Sequence, residues 1–243
     1  MIRLDNVGVT YEDGAIALRG LSLELHQGEF TVLLGISGAG KSTLLRCINY
    51  LTQPTSGWVS RAGLGSLHDP KTLREHRKRT GTIFQQHQLL ARHTALQNVL
   101  VGRLAYHSFW RSLWLLPLRD RYIALDCLER VGLLEKALVP VKNLSGGQQQ
   151  RVGIARALAQ QPEYILADEP VASLDPNSAS RVLTLLRQIC QEDRLGALVS
   201  LHQVELACKY ADRIIGLSQG QVVYDGPPSG LNPDVQERIY GSQ

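Results

Sequence analysis

The sequence lacks an apolar run long enough to cross a membrane. In the most apolar window outside the core segments, Leu113 to Leu118, Pro117 interrupts the run and Arg111 and Arg119 flank it. A spanning helix needs about 20 apolar residues. The first ten residues alternate polar and apolar types, without the apolar stretch of a signal peptide. We therefore expect a chain that starts at Met1 and does not cross a membrane.

The chain also has few cysteines and a small net charge. Cys47, Cys127, Cys190 and Cys208 form no C-x-x-C pair and have no histidine at ligand spacing, so we interpret them as reduced core thiols of a cytosolic protein. The formal net charge of +4 is too mild to indicate a nucleic-acid binder. The one basic segment, Lys71 to Arg79, is interpreted as the solvated face of a helix. With 44% hydrophobic residues, the chain can bury a core in one domain or in two joined lobes.

Apolar segments rich in β-branched residues alternate with helical patterns along the chain. This order predicts an α/β fold with a mainly parallel sheet covered by helices. The predicted strands of this sheet are Phe30 to Leu34, Thr82 to Phe84, Tyr164 to Ala167, Ala197 to Leu201 and Ile214 to Leu217. A last hairpin near Gln221 to Tyr224 is predicted after the turn residues Gln219 and Gly220. Together with two short strands, Ile2 to Val9 and Leu21 to Leu25, it is predicted to form an antiparallel edge sheet.

Strand signals stop between Gln86 and about Gln160. Apolar residues that recur three and four positions apart predict helices over Ala95 to Leu104, Arg121 to Val131 and Gly146 to Gln160. We therefore expect an α-helical insertion within the α/β body.

The segment Gly35 to Ser42 reads GISGAGKS and matches G-x-x-x-x-G-K-S, with a predicted strand before it and a helical pattern after it. Its glycines let backbone N–H groups turn toward phosphate oxygens, which the N-terminus of the next helix also favours. We expect Lys41 to reach the β- and γ-phosphates and the Ser42 hydroxyl to bind Mg²⁺. The predicted nucleotide-binding residues here are Gly35, Ser37, Gly38, Ala39, Gly40, Lys41, Ser42 and Thr43. The loop therefore predicts binding of a nucleoside triphosphate.

A pair of acids ends the apolar strand Tyr164 to Ala167. We expect Asp168 to hold Mg²⁺ through water and Glu169 to polarise the water that attacks the triphosphate. Adjacent acids before Pro170 also suit an ordinary helix start, but that interpretation leaves the phosphate-binding loop without its partner.

The segment Leu144 to Arg151 reads LSGGQQQR, and here the sequence resembles the ATP-binding subunits of ABC transporters. A glycine pair that opens a helix offers a second anion site, with N–H groups on Gly146 and Gly147 and a hydroxyl on Ser145. The resemblance covers nearly the whole chain. It implies a P-loop NTPase core of RecA type with an antiparallel β subdomain over 1–86 and 161–243, and an inserted helical subdomain over 87–160.

The resemblance also implies ATP and Mg²⁺ as cofactors, and a head-to-tail homodimer in which the signature of one subunit faces the phosphate loop of the other. Tyr11 would stack on adenine, Gln85 would sense Mg²⁺ and the γ-phosphate, His202 would bond the γ-phosphate, and Asp175 would couple the two sites. The implied catalytic residues are Glu169, His202, Gln85 and Lys41. The implied metal-binding residues are Ser42, Gln85 and Asp168. The implied signature contacts to ATP are Ser145, Gly146, Gly147 and Gln148.

Within the family, the sequence looks most like the ATPases of phosphonate importers. The segments 83–86, 98–104 and 168–176 carry this likeness, as does the insertion Phe109 to Pro117. It implies a peripheral protein on the cytoplasmic face of the inner membrane, bound to two transmembrane permease subunits and served indirectly by a periplasmic or extracellular phosphonate-binding protein. Trp110 and Trp114 either contact the permease or pack into the helical subdomain. Ile36 departs from the proline that such importers often carry, which affects loop stiffness rather than chemistry.

Other functions use similar parts. The ATPase subunits of phosphite, phosphate and polar amino acid importers have similar size, so these importers remain alternative interpretations. A soluble ATPase of DNA maintenance shares the loop and the signature, but such proteins usually insert long coiled coils, zinc modules or a second ATPase domain. About 60 residues separate Gln86 from Leu144 here, without sustained heptads. A nonhydrolytic interaction protein is opposed by four residues that occur together: Lys41, Asp168, Glu169 and His202.

Overall fold

The computed structural model describes residues 1–85, 88–107 and 116–241. The strands are β1 (Ile2–Thr10), β2 (Ile16–Leu25), β3 (Phe30–Leu34), β4 (Ser56–Arg61), β5 (Gly65–Ser66), β6 (Thr80–Ile83), β7 (Tyr164–Ala167), β8 (Gly196–Ser200), β9 (Arg213–Ser218) and β10 (Gln221–Gly226). The α-helices are α1 (Lys41–Ile48), α2 (Pro70–Lys78), α3 (Ala95–Leu100), α4 (Leu118–Arg130), α5 (Gly146–Leu158), α6 (Pro176–Glu192), α7 (Val204–Tyr210) and α8 (Pro233–Tyr240).

A six-stranded sheet forms the centre of the fold, in the order β10-β9-β3-β8-β7-β6. Its strands run parallel from β9 to β6, which confirms the predicted α/β architecture. Every residue of β3, β7 and β8 is buried, as expected for parallel strands covered by helices on both faces. Because the strands are parallel, the residues that follow β3, β7 and β8 emerge at one edge of the sheet.

A separate four-stranded antiparallel sheet has the order β2-β1-β4-β5. The predicted grouping of the last hairpin with this sheet was wrong, because β10 pairs with β9 and so extends the large sheet. Gln219 and Gly220 have φ values of 45° and 78°, the left-handed pair of a tight hairpin turn. The sequence analysis also missed β4 and β5, whose exposed polar residues and glycines give no strand alternation.

The helices of the insertion begin and end near their predicted bounds. The predicted helix Ala95 to Leu104 is α-helical to Leu100 and continues as a 3₁₀ turn over Val101–Tyr106. Gly102 packs directly against the carbonyl of Arg156, so α5 touches this turn closely. One apolar core runs from Val32 of β3 to Val99 and Ile154 of the insertion, which joins the insertion to the large sheet. The division at residues 86 and 161 stays a prediction.

Two further expectations need correction. Cys208 is exposed rather than a core thiol, while Cys47, Cys127 and Cys190 are buried. The basic segment does form a helix, but it is not simply a solvated face, because His76 is fully buried and contacts Arg61. No helix of the described residues is long and apolar enough to cross a membrane. Most of the insertion Phe109 to Pro117, with both tryptophans, lies outside the described residues.

Candidate functional site

The phosphate-binding loop lies between β3 and α1, as predicted. Gly38 and Gly40 adopt φ values of +81° and +103°, which favour glycine. A Cβ on Gly40 would lie 2.5 Å from the carbonyl oxygen of Ala17, and one on Gly35 would clash with the carbonyl of Leu217. The loop is therefore packed tightly against β2 and β9, and larger residues at these glycines would displace it.

Lys41 is buried at the base of this loop, with 5% of its surface exposed. Its Nζ donates to the carbonyl oxygens of Gly35 at 2.7 Å and Ile36 at 2.9 Å. Burial lowers the pKa of Lys41, while the nearby charges of Glu169 and Asp168 raise it. An ammonium held in this position can exchange its carbonyl partners for phosphate oxygens with little movement of the chain.

Asp168 and Glu169 lie at the end of β7, directly opposite the loop. Ser42 Oγ donates to Asp168 Oδ1 at 3.0 Å. Gln85 Nε2 donates to Glu169 Oε2 at 2.9 Å, and His202 Nε2 lies 2.5 Å from Glu169 Oε1. The structure thus brings the four side chains Gln85, Asp168, Glu169 and His202 to one edge of the sheet.

A cavity of about 430 Å³ contains Lys41, Gln85, Glu169 and His202 and extends to Tyr11. Tyr11 stands at its mouth, 41% exposed, and its hydroxyl is 3.0 Å from Thr43 Oγ1. The residues that line the cavity are Tyr11, Ala17, Ser37, Gly38, Gly40, Lys41, Ser42, Thr43, Gln85, Glu169 and His202. Its polar and cationic lining fits a triphosphate.

The donor set also fits Mg²⁺. The described residues hold no group of three His, Cys, Asp or Glu side chains that would form a metal cage. Mg²⁺ usually binds through one or two protein oxygens, substrate phosphates and water. The hydroxyl of Ser42 beside the carboxylate of Asp168 is a set of this kind.

The signature residues lie on a different surface. Ser145 caps α5, and its side chain and that of Gln148 exchange hydrogen bonds with each other's backbone N–H groups at 3.4 and 2.9 Å. A second cavity, of about 510 Å³, opens beside this helix start and is lined by Ser145, Gly147, Gln148, Arg151 and Arg181 among others. The lining residues of the two cavities do not overlap, so this chain does not bring its signature to its own phosphate loop.

Asp175 is the N-cap of α6 and lines neither of these two cavities. Its carboxylate accepts the backbone N–H groups of Asn177 at 3.1 Å and Ser178 at 3.0 Å. Hydrogen bonding by the side chain of Ser178, followed by that of its backbone, lowers the pKa of Asp175. Asp175 therefore stabilises a helix start within the chain, and it is not part of the cavity around Lys41.

The sequence analysis missed Ser200, which is fully buried behind the acid pair. Its Oγ accepts the backbone N–H of Glu169 at 2.8 Å and donates to Asp168 Oδ1 at 3.0 Å. The available signal was a hydroxyl inside the otherwise apolar strand Ala197 to Leu201.

Comparison with known proteins agrees with this geometry. A family model described as ABC transporter matches residues 18–172. The chain is 67% identical over 240 residues to the phosphonates import ATP-binding protein PhnC 1 of Trichodesmium erythraeum (strain IMS101), covering 99% of this chain and 95% of that protein. It is 58% identical over 243 residues to the phosphite import ATP-binding protein PxtA of Stutzerimonas stutzeri, covering 100% of this chain and 88% of that protein. Among solved structures, the dimeric post-hydrolysis state of the ATP-binding cassette MJ0796 bound to ADP and Pi is similar with a TM-score of 0.82 and 36% identity, over 94% of this chain and 99% of that chain.

Proposed function

The chain belongs to the ABC transporter family, and from this premise we propose that it is the ATP-hydrolysing subunit of a phosphonate importer. ATPases of this family bind ATP and couple its hydrolysis to transport. The observation that carries the proposal is the single cavity in which Lys41, Glu169 and His202 face one another. The phosphonate assignment is supported by the full-length relative that bears this name.

The residues in and beside the cavity have separate roles in the proposed hydrolysis. Lys41 would leave the carbonyls of Gly35 and Ile36 and bind the β- and γ-phosphates. Ser42, Asp168 and Gln85 would hold Mg²⁺, which would supply charge that stabilises the transferred phosphoryl group and the departing ADP. Tyr11 would stack on the adenine, since its exposed ring stands at the mouth of the cavity.

Glu169 is the proposed general base. Gln85 and His202 each contact one oxygen of its carboxylate, so the side chain is held in one orientation. Glu169 would accept a proton from the attacking water, while His202 would turn toward the γ-phosphate. His202 and Glu169 line the same cavity, which supports a shared site for the γ-phosphate.

We further propose that two copies of the chain form the complete site. The signature residues Ser145, Gly146, Gly147 and Gln148 lie away from the chain's own phosphate loop. A head-to-tail homodimer would place the N-terminus of α5 against the triphosphate of the partner subunit. Asp175 would then lie near the joint between the two copies.

The transmembrane permease subunits would bind in a groove of about 710 Å³ beside α2. Leu73, Phe84 and Val101 give it apolar surface, and Arg74, Arg77, Lys78 and Arg156 give it positive charge. A cytoplasmic permease segment with apolar and acidic side chains would suit this lining. The chain would then act at the cytoplasmic face of the membrane, with an external phosphonate-binding protein selecting the substrate.

Growth of a deletion strain tests the substrate. We would supply a phosphonate, phosphite or phosphate as the sole phosphorus source and complement with wild type or with Glu169→Gln. Growth lost on the phosphonate alone, and restored by wild type but not by Glu169→Gln, is the expected result. Unchanged growth on the phosphonate in a strain without a second importer would contradict the substrate assignment.

Phosphite is the second candidate substrate, because a relative that is 58% identical over the whole chain bears that name. Loss of growth on phosphite alone would favour it. An ATPase of DNA maintenance would instead bind duplex DNA with strong salt dependence, and the same protein can be tested for such binding.

A further inference from the structure

Ser200 is the last residue of β8, at the centre of the large sheet. It is 0% exposed, and its neighbours along the strand, Val199 and Leu201, are buried apolar residues. Across the sheet it pairs with Leu33 of β3. A hydroxyl in such surroundings is costly unless its hydrogen bonds are made.

The two shortest hydrogen bonds of Ser200 lead to the acid pair. Its oxygen accepts the N–H of Glu169 at 2.8 Å. Its hydroxyl hydrogen has one close acceptor, Asp168 Oδ1 at 3.0 Å, while the carbonyl of Ala167 lies at 3.5 Å. Since Asp168 Oδ1 also accepts from Ser42, Ser200 and Ser42 hold the same carboxylate oxygen from two sides.

The backbone of Glu169 needs such a partner. Its φ is +46°, in the left-handed region that residues other than glycine rarely adopt. This conformation turns the chain at the end of β7 and directs the Glu169 side chain toward Gln85 and His202. Strained backbone of this kind persists only where the surrounding structure fixes it.

We propose that Ser200 is a positioning residue for ATP hydrolysis, which sets the backbone of Glu169 and the carboxylate of Asp168 through one buried hydroxyl. The inference rests on the proposed function, in which Glu169 is the base and Asp168 holds Mg²⁺. Ser200 itself does not line the cavity that contains Lys41, so it acts through these two neighbours.

Ser200→Ala removes the hydroxyl with the least change in volume. The backbone N–H of Glu169 then loses its acceptor. Asp168 loses the hydrogen bond from Ser200 and keeps the one from Ser42. We expect kcat for ATP hydrolysis to fall roughly 10- to 100-fold, as is usual when a supporting bond behind a metal ligand or base is lost. We expect the Mg²⁺ concentration at half-maximal rate to rise several-fold, with the Kd for ATP without Mg²⁺ within about twofold of wild type.

Two other variants separate positioning from stability. Ser200→Thr keeps the hydroxyl and is expected to recover most of kcat. Thr31→Val removes another buried strand hydroxyl, which donates to Glu29 at 3.2 Å from the opposite end of β3. Thr31→Val is expected to lower Tm about as much as Ser200→Ala while kcat stays within about twofold of wild type.

The proposal is overturned if Ser200→Ala hydrolyses ATP within about twofold of wild type at the same Mg²⁺ dependence. It is also overturned if Ser200→Ala and Thr31→Val lose kcat equally, since the hydroxyl would then serve stability alone. If Ser200→Thr does not fold, the comparison of Ser200→Ala with Thr31→Val decides. Glu169→Gln is measured alongside: full hydrolysis by that variant contradicts the proposed function itself, whereas its loss beside an unaffected Ser200→Ala contradicts only the role of Ser200.

Discussion

The phosphate loop and the signature are both glycine-containing starts of helices, but their glycines are needed for different reasons. A Cβ on Gly35 or Gly40 would collide with the carbonyls of Leu217 and Ala17 in the same chain. A Cβ on Gly146 or Gly147 would find ordinary contacts, at 3.6 Å from Leu174 and 3.9 Å from Ser178. Packing within the chain therefore explains the first pair of glycines and leaves the second pair unexplained.

This difference indicates where each surface completes its site. The phosphate loop packs against its own chain, and Lys41 and Ser42 of the loop already have hydrogen-bond partners there. Gly146 and Gly147 of the signature carry no side chain, although their own chain leaves room for a Cβ at both positions. We infer that the close approach that requires them comes from outside the chain, as in the proposed head-to-tail dimer around ATP.

Glu169→Gln should separate binding from chemistry on the phosphate-loop side. The amide keeps the shape of the side chain but cannot accept a proton, so kcat should fall by about 10²–10⁴-fold with little change in the Kd for ATP. Steady-state hydrolysis and equilibrium nucleotide binding measure the two quantities. The matched control is Glu237→Gln on the exposed side of α8, which should hydrolyse ATP like wild type. Similar rates for the two variants would remove Glu169 from the mechanism.

Gly147→Asp should affect the signature side alone. An acid in the first turn of α5 suits the N-terminal end of the helix, so Tm should be unchanged or slightly higher. The same charge would repel the triphosphate of a partner subunit, and hydrolysis should fall roughly 10²-fold, as when an oxyanion-binding donor is lost. ATP binding to the phosphate loop of the variant should persist in a filter or fluorescence assay. Undiminished hydrolysis would show that the signature does not meet phosphate.

Gly220→Ala should weaken the support beneath the phosphate loop. The N–H of Gly220 donates to the carbonyl of Ala39 at 3.0 Å, and a Cβ there would lie 2.6 Å from the carbonyl of Ala17. Gly63 is a matched control, because it has the same φ of +78° with open space around it. Each substitution should cost about 1 kcal/mol of stability from backbone strain.

Only Gly220→Ala should also raise the Kd for ATP, by several-fold, because only it moves the loop. Titration with ATP and thermal unfolding of the two variants give the comparison. Equal nucleotide affinity in both would mean that the hairpin turn does not position the loop.

His76 should affect the stability of the fold without contacting the phosphate loop or the signature. Burial, followed by the charges of Arg61 and Arg77, lowers the pKa of His76 from 6.5 to about 4. The unfolded chain therefore binds the proton first, and stability is present above pH 6.5 and is lost as the pH falls from 6.5 toward 4. This loss should reach at most about 3 kcal/mol.

His76→Gln removes the titrating group and should flatten the stability curve in that interval of pH. Chemical denaturation at several pH values measures the slope for the variant and for wild type. An unchanged slope in the variant would assign the acid sensitivity to other groups.

Much of this site could be predicted because a short stretch of sequence fixes its local geometry. The loop from Gly35 to Ser42 and the helix start at Ser145 depend on glycines and caps that are adjacent in the chain. Ser200 could not be found in this way, because its role appears only when β8 lies beside β7. The pairing of β10 with β9 likewise depends on the sheet and not on the turn, which was predicted correctly at Gln219 and Gly220.

The oligomeric state of the Glu169→Gln variant in solution tests most directly whether two copies of the chain form the complete ATP site. Light scattering after gel filtration should give a monomer without nucleotide and with ADP, and a dimer with ATP, because slow hydrolysis keeps the triphosphate between the two copies. The double variant Glu169→Gln with Gly147→Asp should bind ATP and stay monomeric. A dimer that forms equally well in the double variant, or a Glu169→Gln chain that stays monomeric when saturated with ATP, would contradict the account.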